Sequence, residues 1–285
     1  MRRLVDLHTH STCSDGQYEP AEVVRLAERT RLAAVALTDH DTLAGIPEAR
    51  RTACELDELR FVAGIEVSAK FPNGTLHILG LGIDEQAPSI VRLARRLREA
   101  RNARNPRMIR RLQDMGVRVS LDDVRLVAGA EDSDENRIVG RLHMAETLRR
   151  KGFVATTREA FDRYVGRDAP AYVDKEKMDP AETISAIREA GGAAVLAHPV
   201  QLGVADNELE PLVRSFMDAG LNGIEAYHSD HNPSQVRSYL ELADRLGLFV
   251  SGGSDFHGSA KPHAALGRPR VPLSMVEPML TSLGC

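Results

Sequence analysis

The sequence has no tryptophan, three cysteines and only 4% aromatic residues. Sparse aromatics leave few platforms for stacking single-stranded bases, which argues against a long nucleic-acid substrate. The cysteines, Cys13, Cys54 and Cys285, are odd in number and far apart, so no disulfide framework is expected. A reducing, cytoplasmic setting is the simplest expectation. No apolar run approaches the ~20 residues needed to span a bilayer. The start, Met1-Arg-Arg-Leu-Val-Asp-Leu-His, enters a strand-like pattern with no visible signal peptide. Neither a membrane contact nor an obligate protein partner is indicated.

What is present is ordinary folded-protein material: 285 residues, 42% hydrophobic and 27% charged. The formal net charge of −4 is unevenly spread. Residues 86–170 hold nineteen Lys and Arg against twelve Asp and Glu, a local +7 that leaves the remainder at −11. A basic middle on an acidic body suggests an anionic substrate approached from that segment, although a solvated arginine-rich helix face has the same charge.

Along the chain, short apolar runs alternate with helical patterns. Strands are expected at Leu4–Leu7, Ala33–Thr38, Phe61–Val67 and Thr75–Leu81, the last two joined across the Pro72-Asn73-Gly74 turn signal. Helices are expected from Pro20 and over about 42–56. The rhythm resumes late, with helices over about 180–190, 209–219 and 233–246 and strands at Ala193–Ala197, Gly223–Tyr227 and Leu248–Ser251. Repeated strand–helix units imply a parallel sheet, closed or nearly closed into a barrel. Between residues 86 and 172 the alternation stops in favour of helix, with a bend expected at Asn105-Pro106 and a further helix over about 137–151. The expected plan is an α/β barrel in two parts, 1–85 and 173–285, around a mainly helical insertion, 86–172. The end of the chain, from about residue 265, reads as a closing strand or loop plus a helix.

Ten histidines carry the strongest functional signal. His8, His10, His40, His77, His198 and His257 lie in or just after strands, accompanied by Asp15, Glu66 and Asp255. Strand C-termini of a parallel barrel open onto one face, so these side chains are expected to converge. Nine nitrogen and oxygen donors are too many for one ion and suit two or three divalent metals. Asp39 and Asp41 flank His40 and could orient a ligand or cap the next helix.

Asp6-Leu-His-Thr-His10, Leu37-Thr-Asp-His-Asp41, Gly64-Ile-Glu-Val67, His77-Ile-Leu-Gly80, Ala197-His-Pro199 and Gly253-Ser-Asp-Phe-His257 resemble, in order, the motifs of the polymerase-and-histidinol-phosphatase (PHP) family of metal-dependent phosphoesterases. The resemblance implies a distorted (β/α)7 barrel. It assigns metal ligation to His8, His10, Asp15, His40, Glu66, His77, His198, Asp255 and His257, with manganese first and zinc or iron as alternatives. The insertion resembles that of small stand-alone members acting on nucleotide phosphates. By that likeness Val139-Gly-Arg-Leu-His143 offers Arg141 and His143 to a substrate phosphate, and Ala171–Lys177 offers Lys175 or Lys177. Tyr227-His-Ser-Asp-His231 supplies His228 and His231 as proton donors beside His198.

The function expected is hydrolysis of a nucleotide phosphate monoester, such as a nucleoside 3′,5′-bisphosphate or AMP, by a metal-bridging hydroxide. Alternatives are a phosphodiesterase acting on a cyclic ribose phosphate or on the 5′ end of short RNA, hydrolysis of histidinol phosphate, and a metal-binding accessory module without activity. Arg95, Arg98, Arg101, Arg104 and Arg107 lend the RNA reading some support, but a spacing of three drifts around a helix, so they do not share one face.

Overall fold

The computed structural model describes residues 3–72, 74–129 and 138–284. Asn73 of the turn signal, Arg137 at the expected start of a helix, and Cys285 lie outside them. The first half contains β1 (Leu4–Asp6), α1 (Pro20–Arg29), β2 (Ala34–Leu37), α2 (Ile46–Ala53), β3 (Arg60–Ala69) and β4 (Leu76–Leu81). A helical stretch follows: α3 (Pro88–Asp114), α4 (Leu121–Ala128), α5 (Arg141–Arg150) and the single turn α6 (Thr157–Ala160), which continues as a π-turn to Val165. The alternation then returns with α7 (Pro180–Glu189), β5 (Ala193–Leu196), α8 (Asp206–Asp218), β6 (Gly223–Tyr227), α9 (Pro233–Leu246), β7 (Phe249–Gly252), β8 (Val271–Pro272) and α10 (Leu273–Ser282).

The strands form one sheet in the order β7-β6-β5-β4-β3-β2-β1-β8. It curls until the end of β1 meets the end of β7, where Leu7 N donates to Gly252 O at 3.0 Å and Thr9 bridges Phe256. The barrel is therefore nearly closed, as expected, but its sheet is mixed rather than parallel. β4 runs antiparallel to both β3 and β5. The cause is local: no helix separates β3 from β4, so the chain reverses in a hairpin. The short β8 pairs antiparallel with β1. Because β4 runs the other way, its N-terminal end, which carries His77, joins the C-terminal ends of β1, β2, β5, β6 and β7 at the mouth.

Apolar burial follows this plan. Ile65, Val67, Ile78, Leu196 and Ile224 pack with helix residues such as Ile184 and Leu242 outside the sheet. Val5, Leu79, Leu81, Val195 and Val271 fill the closed end with α10. A separate cluster, including Met108, Leu112, Val124, Met144, Leu148 and Val165, holds the helical stretch together. The helix α3 runs continuously through Pro106. Its ends are firm where the site needs it: Leu93 and Leu97 pack on the barrel core, while Met108 and Leu112 belong to the helical cluster. This one helix thus carries side chains from the second cluster back to the barrel mouth.

Candidate metal centre and active site

Glu66, at the mouth on β3, is the centre of the arrangement and is 1% exposed. Its Oε2 lies 2.8 Å from His40 Nδ1, 3.3 Å from His10 Nε2 and 3.4 Å from His8 Nε2. Its Oε1 lies 2.6 Å from His77 Nδ1 and 2.9 Å from His198 Nε2. Asp255 Oδ1 stands 3.1 Å from His10 Nε2 and 3.5 Å from His8 Nε2. Asp15 Oδ1 is 3.1 Å from His257 Nε2, and Asp15 Oδ2 is 3.9 Å from His40 Nε2. All nine donors named from the sequence are in this cluster.

The residues fit divalent cations. Donor atoms about 2.0–2.3 Å from a common ion stand roughly 3 Å apart, the spacing found here. His8 Nε2, His10 Nε2, His40 Nδ1, Asp15 Oδ1, Glu66 Oε2 and Asp255 Oδ1 are buried without a hydrogen bond. Each such orphan costs about 1–3 kcal/mol, a penalty that a bound cation removes. Overlapping groups with all donor atoms within 4.8 Å are His10–Asp15–His40–His257, His8–His10–Glu66–Asp255 and His40–Glu66–His77. The charge states differ across the cluster: burial lowers His8, His10 and His40, but the neighbouring carboxylates outweigh it and hold them above the usual imidazole range, so ligation there would displace a proton. Burial opposes ionisation of Glu66, yet His40, His77 and His8 hold its carboxyl well below the usual range. Burial dominates at His77 and pushes it down to about 4, which leaves the imidazole neutral, the form that binds metal.

A further group, His8–Glu225–His228, contains a residue the sequence reading missed. Glu225 is fully buried on β6. Its Oε1 meets His8 Nδ1 at 2.9 Å and its Oε2 accepts the His198 backbone N–H at 2.7 Å. Holding His8 by Nδ1 leaves Nε2 to face Glu66 and Asp255. The only hint in the sequence was a carboxylate inside an otherwise apolar strand.

The loops at the mouth are strained and tightly bonded. Asp41, His198 and Asp255 have positive φ, at 58°, 25° and 56°. Such conformations persist where surrounding contacts over-determine them. Asp39 accepts from Ser11 N at 2.7 Å and from the Ser11 and Ser14 hydroxyls at 2.6 Å, so it ties the loop after His10 to the one holding His40. Asp6 does the same for the last loop, accepting from Ser254 N at 2.9 Å, Ser254 Oγ at 2.6 Å and Gly267 N at 2.8 Å. Gly253 is required: a Cβ there would lie 2.4 Å from His8 Cβ.

Beside the cluster, a cavity of about 170 Å³ is lined by Asp15, His40 and His77 on the barrel side and by Arg101, Arg104, Arg141, Arg167, Lys175 and Lys177 opposite. Arg141 begins α5, and its guanidinium lies over the rings of Tyr172 and Phe161, at 5.3 and 5.8 Å. Arg104 is bonded to the Asn105 amide oxygen at 2.8 Å. Among the described residues neither Arg104 nor Arg141 has a carboxylate partner. Burial, with repulsion from Arg101 and Arg141, pushes Arg104 down to about 9, still charged at neutral pH. Asp41 turns out to anchor cations: it takes Arg101 Nε at 2.8 Å and the Lys175 ammonium, and caps no helix. Arg101, Arg104 and Arg167 join Arg141, Lys175 and Lys177 as residues of this wall.

The remaining candidates lie elsewhere. His143 Nδ1 accepts the Gly140 N–H at 3.1 Å at the start of α5, and the side chain lines a second cavity, which Asp15 also borders. His228 is buried, with Nδ1 accepting the Asp230 N–H at 3.0 Å and Nε2 3.4 Å from Asp255 Oδ2. His231 donates through Nδ1 to Ala226 O at 2.9 Å, and burial pushes it down to about 4. Lys261, not singled out from the sequence, lies 2.6 Å from Asp255 Oδ2.

Residues 6–163 match the PHP domain. The chain is 34% identical over 253 residues to the 3′,5′-nucleoside bisphosphate phosphatase of Chromobacterium violaceum, a match covering 89% of this chain and 87% of that protein. The chain belongs to the PHP family. A 5′-3′ exoribonuclease of Haemophilus influenzae is 32% identical over 257 residues, covering 90% of this chain and 91% of that one. A solved structure from Bifidobacterium adolescentis, assigned as a metal-dependent phosphoesterase, superposes with a TM-score of 0.86 at 31% identity, over 98% of this chain and 96% of that one. This PHP protein is thus a metal-dependent hydrolase of phosphoric esters. No helix among its described residues is long and apolar enough to cross a membrane.

Proposed function

We propose that this PHP enzyme hydrolyses a phosphate monoester of a nucleotide, with a nucleoside 3′,5′-bisphosphate or AMP as the type of substrate. The observation that carries the reading is a small cation-lined cavity opening directly on His40, His77 and Asp15. Two or three divalent ions, manganese first and zinc or iron(II) otherwise, are assigned to His8, His10, Asp15, His40, Glu66, His77, His198, Asp255 and His257. Such ions lower the pKa of water and draw charge from phosphoryl oxygens.

The chain's own side chains do the rest. Arg141, its planar group fixed over Tyr172 and Phe161, offers a fork of donors to phosphate oxygens. Arg104 adds a second guanidinium, and Asp41 holds Arg101 and Lys175 at the same wall. Segment 86–172 supplies the four arginines of the wall, and we assign it substrate recognition. His228 is assigned as a hydrogen-bond donor to the leaving oxygen, which takes its proton from water. Its Nδ1 accepts the Asp230 N–H, so in the neutral ring Nε2 carries the proton, towards the Asp255 carboxylate. His231 spends its Nδ1 proton on Ala226 O and buttresses His228, ring centroids 5.2 Å apart. A cytoplasmic setting accords with a nucleotide substrate.

Trimming of short RNA from its 5′ end is the second reading, favoured by the similar identity to the exoribonuclease. Product release from manganese-loaded protein separates the two. Adenosine 3′,5′-bisphosphate, AMP, a cyclic ribose phosphate, a 5′-phosphorylated tetranucleotide and histidinol phosphate form the panel, with chromatography for the diesters. Preference for the bisphosphate or AMP is the expected result. Cleavage of the tetranucleotide in preference to both would replace the monoester reading.

A further inference from the structure

The metal-ligand cluster borders two cavities, and phosphate recognition occupies only one. Asp15 lines both. The cation-lined cavity, at about 170 Å³, falls below the roughly 300–1,000 Å³ of sites that enclose a whole small molecule. The second, at about 800 Å³, lies within that range and runs between the 12–18 loop, the loop after His257 and helices α4 and α5. Its arginines are already matched, since Glu146 bonds Arg149 at 2.7 Å and Arg150 at 2.8 Å. It offers an organic, weakly charged group a place that the first cavity does not.

Its wall includes Tyr18, which is 36% exposed. The Tyr18 ring is stacked on Phe256, centroids 5.6 Å apart and planes 20° from parallel. Phe256 stands between the ligand candidates Asp255 and His257, and it bridges Thr9, which stands between His8 and His10. The aromatic pair is thereby fixed in register with the cluster. Gly258 completes the seat, because a Cβ there would come within 3.0 Å of Tyr18 Cε2.

We propose that this second cavity is the nucleobase subsite and that Tyr18 is its stacking platform. The proposal rests on the nucleotide reading and deepens it: the phosphate faces the arginines and the base lies on the opposite side of Asp15. A single platform suits a mononucleotide or the terminal residue of a short oligonucleotide.

Calorimetric binding of two non-hydrolysable ligands to the metal-loaded protein tests this. They are the methylene phosphonate analogues of AMP and of ribose 5-phosphate, which differ by the base alone. The wild type is expected to bind the adenosine analogue about 5- to 150-fold more tightly, the range for stacking one base on an aromatic residue. Tyr18→Phe keeps that ratio. Tyr18→Ala brings it close to one while leaving affinity for the ribose analogue unchanged, and Tyr18→Leu, which keeps apolar bulk against Phe256, does the same. A ratio near one in the wild type overturns the proposal, as does a ratio that survives in both the alanine and leucine variants. Equal weakening of both ligands assigns Tyr18 a structural role instead. Failure of both ligands to bind the wild type removes the nucleotide reading along with the subsite. A preserved binding ratio with no phosphate released from any nucleotide leaves the subsite standing and removes only the hydrolysis.

Discussion

The barrel mouth and the helical stretch face each other across one cavity, and they treat buried charge in opposite ways. On the barrel side, Glu66, Asp15 and Asp255 are each met by two or more imidazoles, and Glu225 holds His8 from behind. Four carboxylates sit among imidazoles there, and what is left over is a set of orphaned donor atoms aimed at one another. On the helical side, Asp41 is, among the described residues, the one carboxylate bonded to the wall's cations, and it takes Arg101 and Lys175. Arg104 and Arg141 stand beyond it with aromatic and amide neighbours in place of carboxylates. The first region is built to take up cations and the second to take up an anion. A metal-dependent phosphoesterase requires that combination, since the substrate must be both activated and held.

The widest break in this comparison comes from the barrel side. Glu66→Ala removes the carboxylate shared by five histidines, and kcat/KM is expected to fall on the order of 10³-fold or more, with metal content falling in parallel. Phosphate release and elemental analysis on the same sample check this; near-wild-type turnover would remove Glu66 from the centre. Asp41→Ala strikes the other side by leaving two buried cations without their carboxylate. Loss of about 3–5 kcal/mol in urea unfolding is expected, the usual effect of removing one partner of a buried ion pair. Metal content of the folded fraction should stay unchanged, which separates the two regions.

Glu225→Gln sharpens the comparison within the barrel. Loss of the carboxylate behind a ligating imidazole is expected to weaken metal affinity about 10- to 100-fold, measured by competition with a chelator. The smallest effect is a pH dependence on the helical side. Burial and the neighbouring Arg101 push Lys175 down to about 7 despite Asp41. A bound phosphate favours the ammonium, so binding above pH 7 takes up a proton and weakens as pH rises, by at most about tenfold per unit. The phosphate's own second proton, with a pKa near ~6, is already lost in that range. AMP binding to chelator-stripped protein at pH 7 and pH 9 should show the slope, and Lys175→Arg should flatten it, because a guanidinium keeps its charge.

The two regions also differ in how far the sequence reveals them. The convergence of the histidines and carboxylates proposed as metal donors was legible because they sit in short motifs at strand ends, where one pattern specifies both element and orientation. His77 was found as well, although its strand runs antiparallel, because the motif marks the residue and not the strand's direction. Glu225 was not, since its partner His8 lies 217 residues away and nothing near β6 announces the contact. The arginines of α3 illustrate the same limit. Spacing by three showed that Arg95 to Arg107 could not share a face, but only packing decides that Arg101 and Arg104 are buried while Arg95 and Arg107 are exposed. Asp41 was read as a ligand orienter or a helix cap, and its role as anchor for two distant cations depends on the docking of α3 and the 171–177 segment. A composition poor in aromatics disfavoured a long stacking surface, and it gave no pointer to Tyr18, whose ring stacks on Phe256.

The central claim is that the histidine–carboxylate cluster holds the ions that make this chain a nucleotide phosphatase. Phosphate release from adenosine 3′,5′-bisphosphate by metal-loaded protein, by chelator-stripped protein and by stripped protein given manganese tests it most directly. The account predicts turnover, its loss with at least two bound ions per chain removed, and its return on adding manganese. Equal turnover by stripped and loaded protein would contradict it.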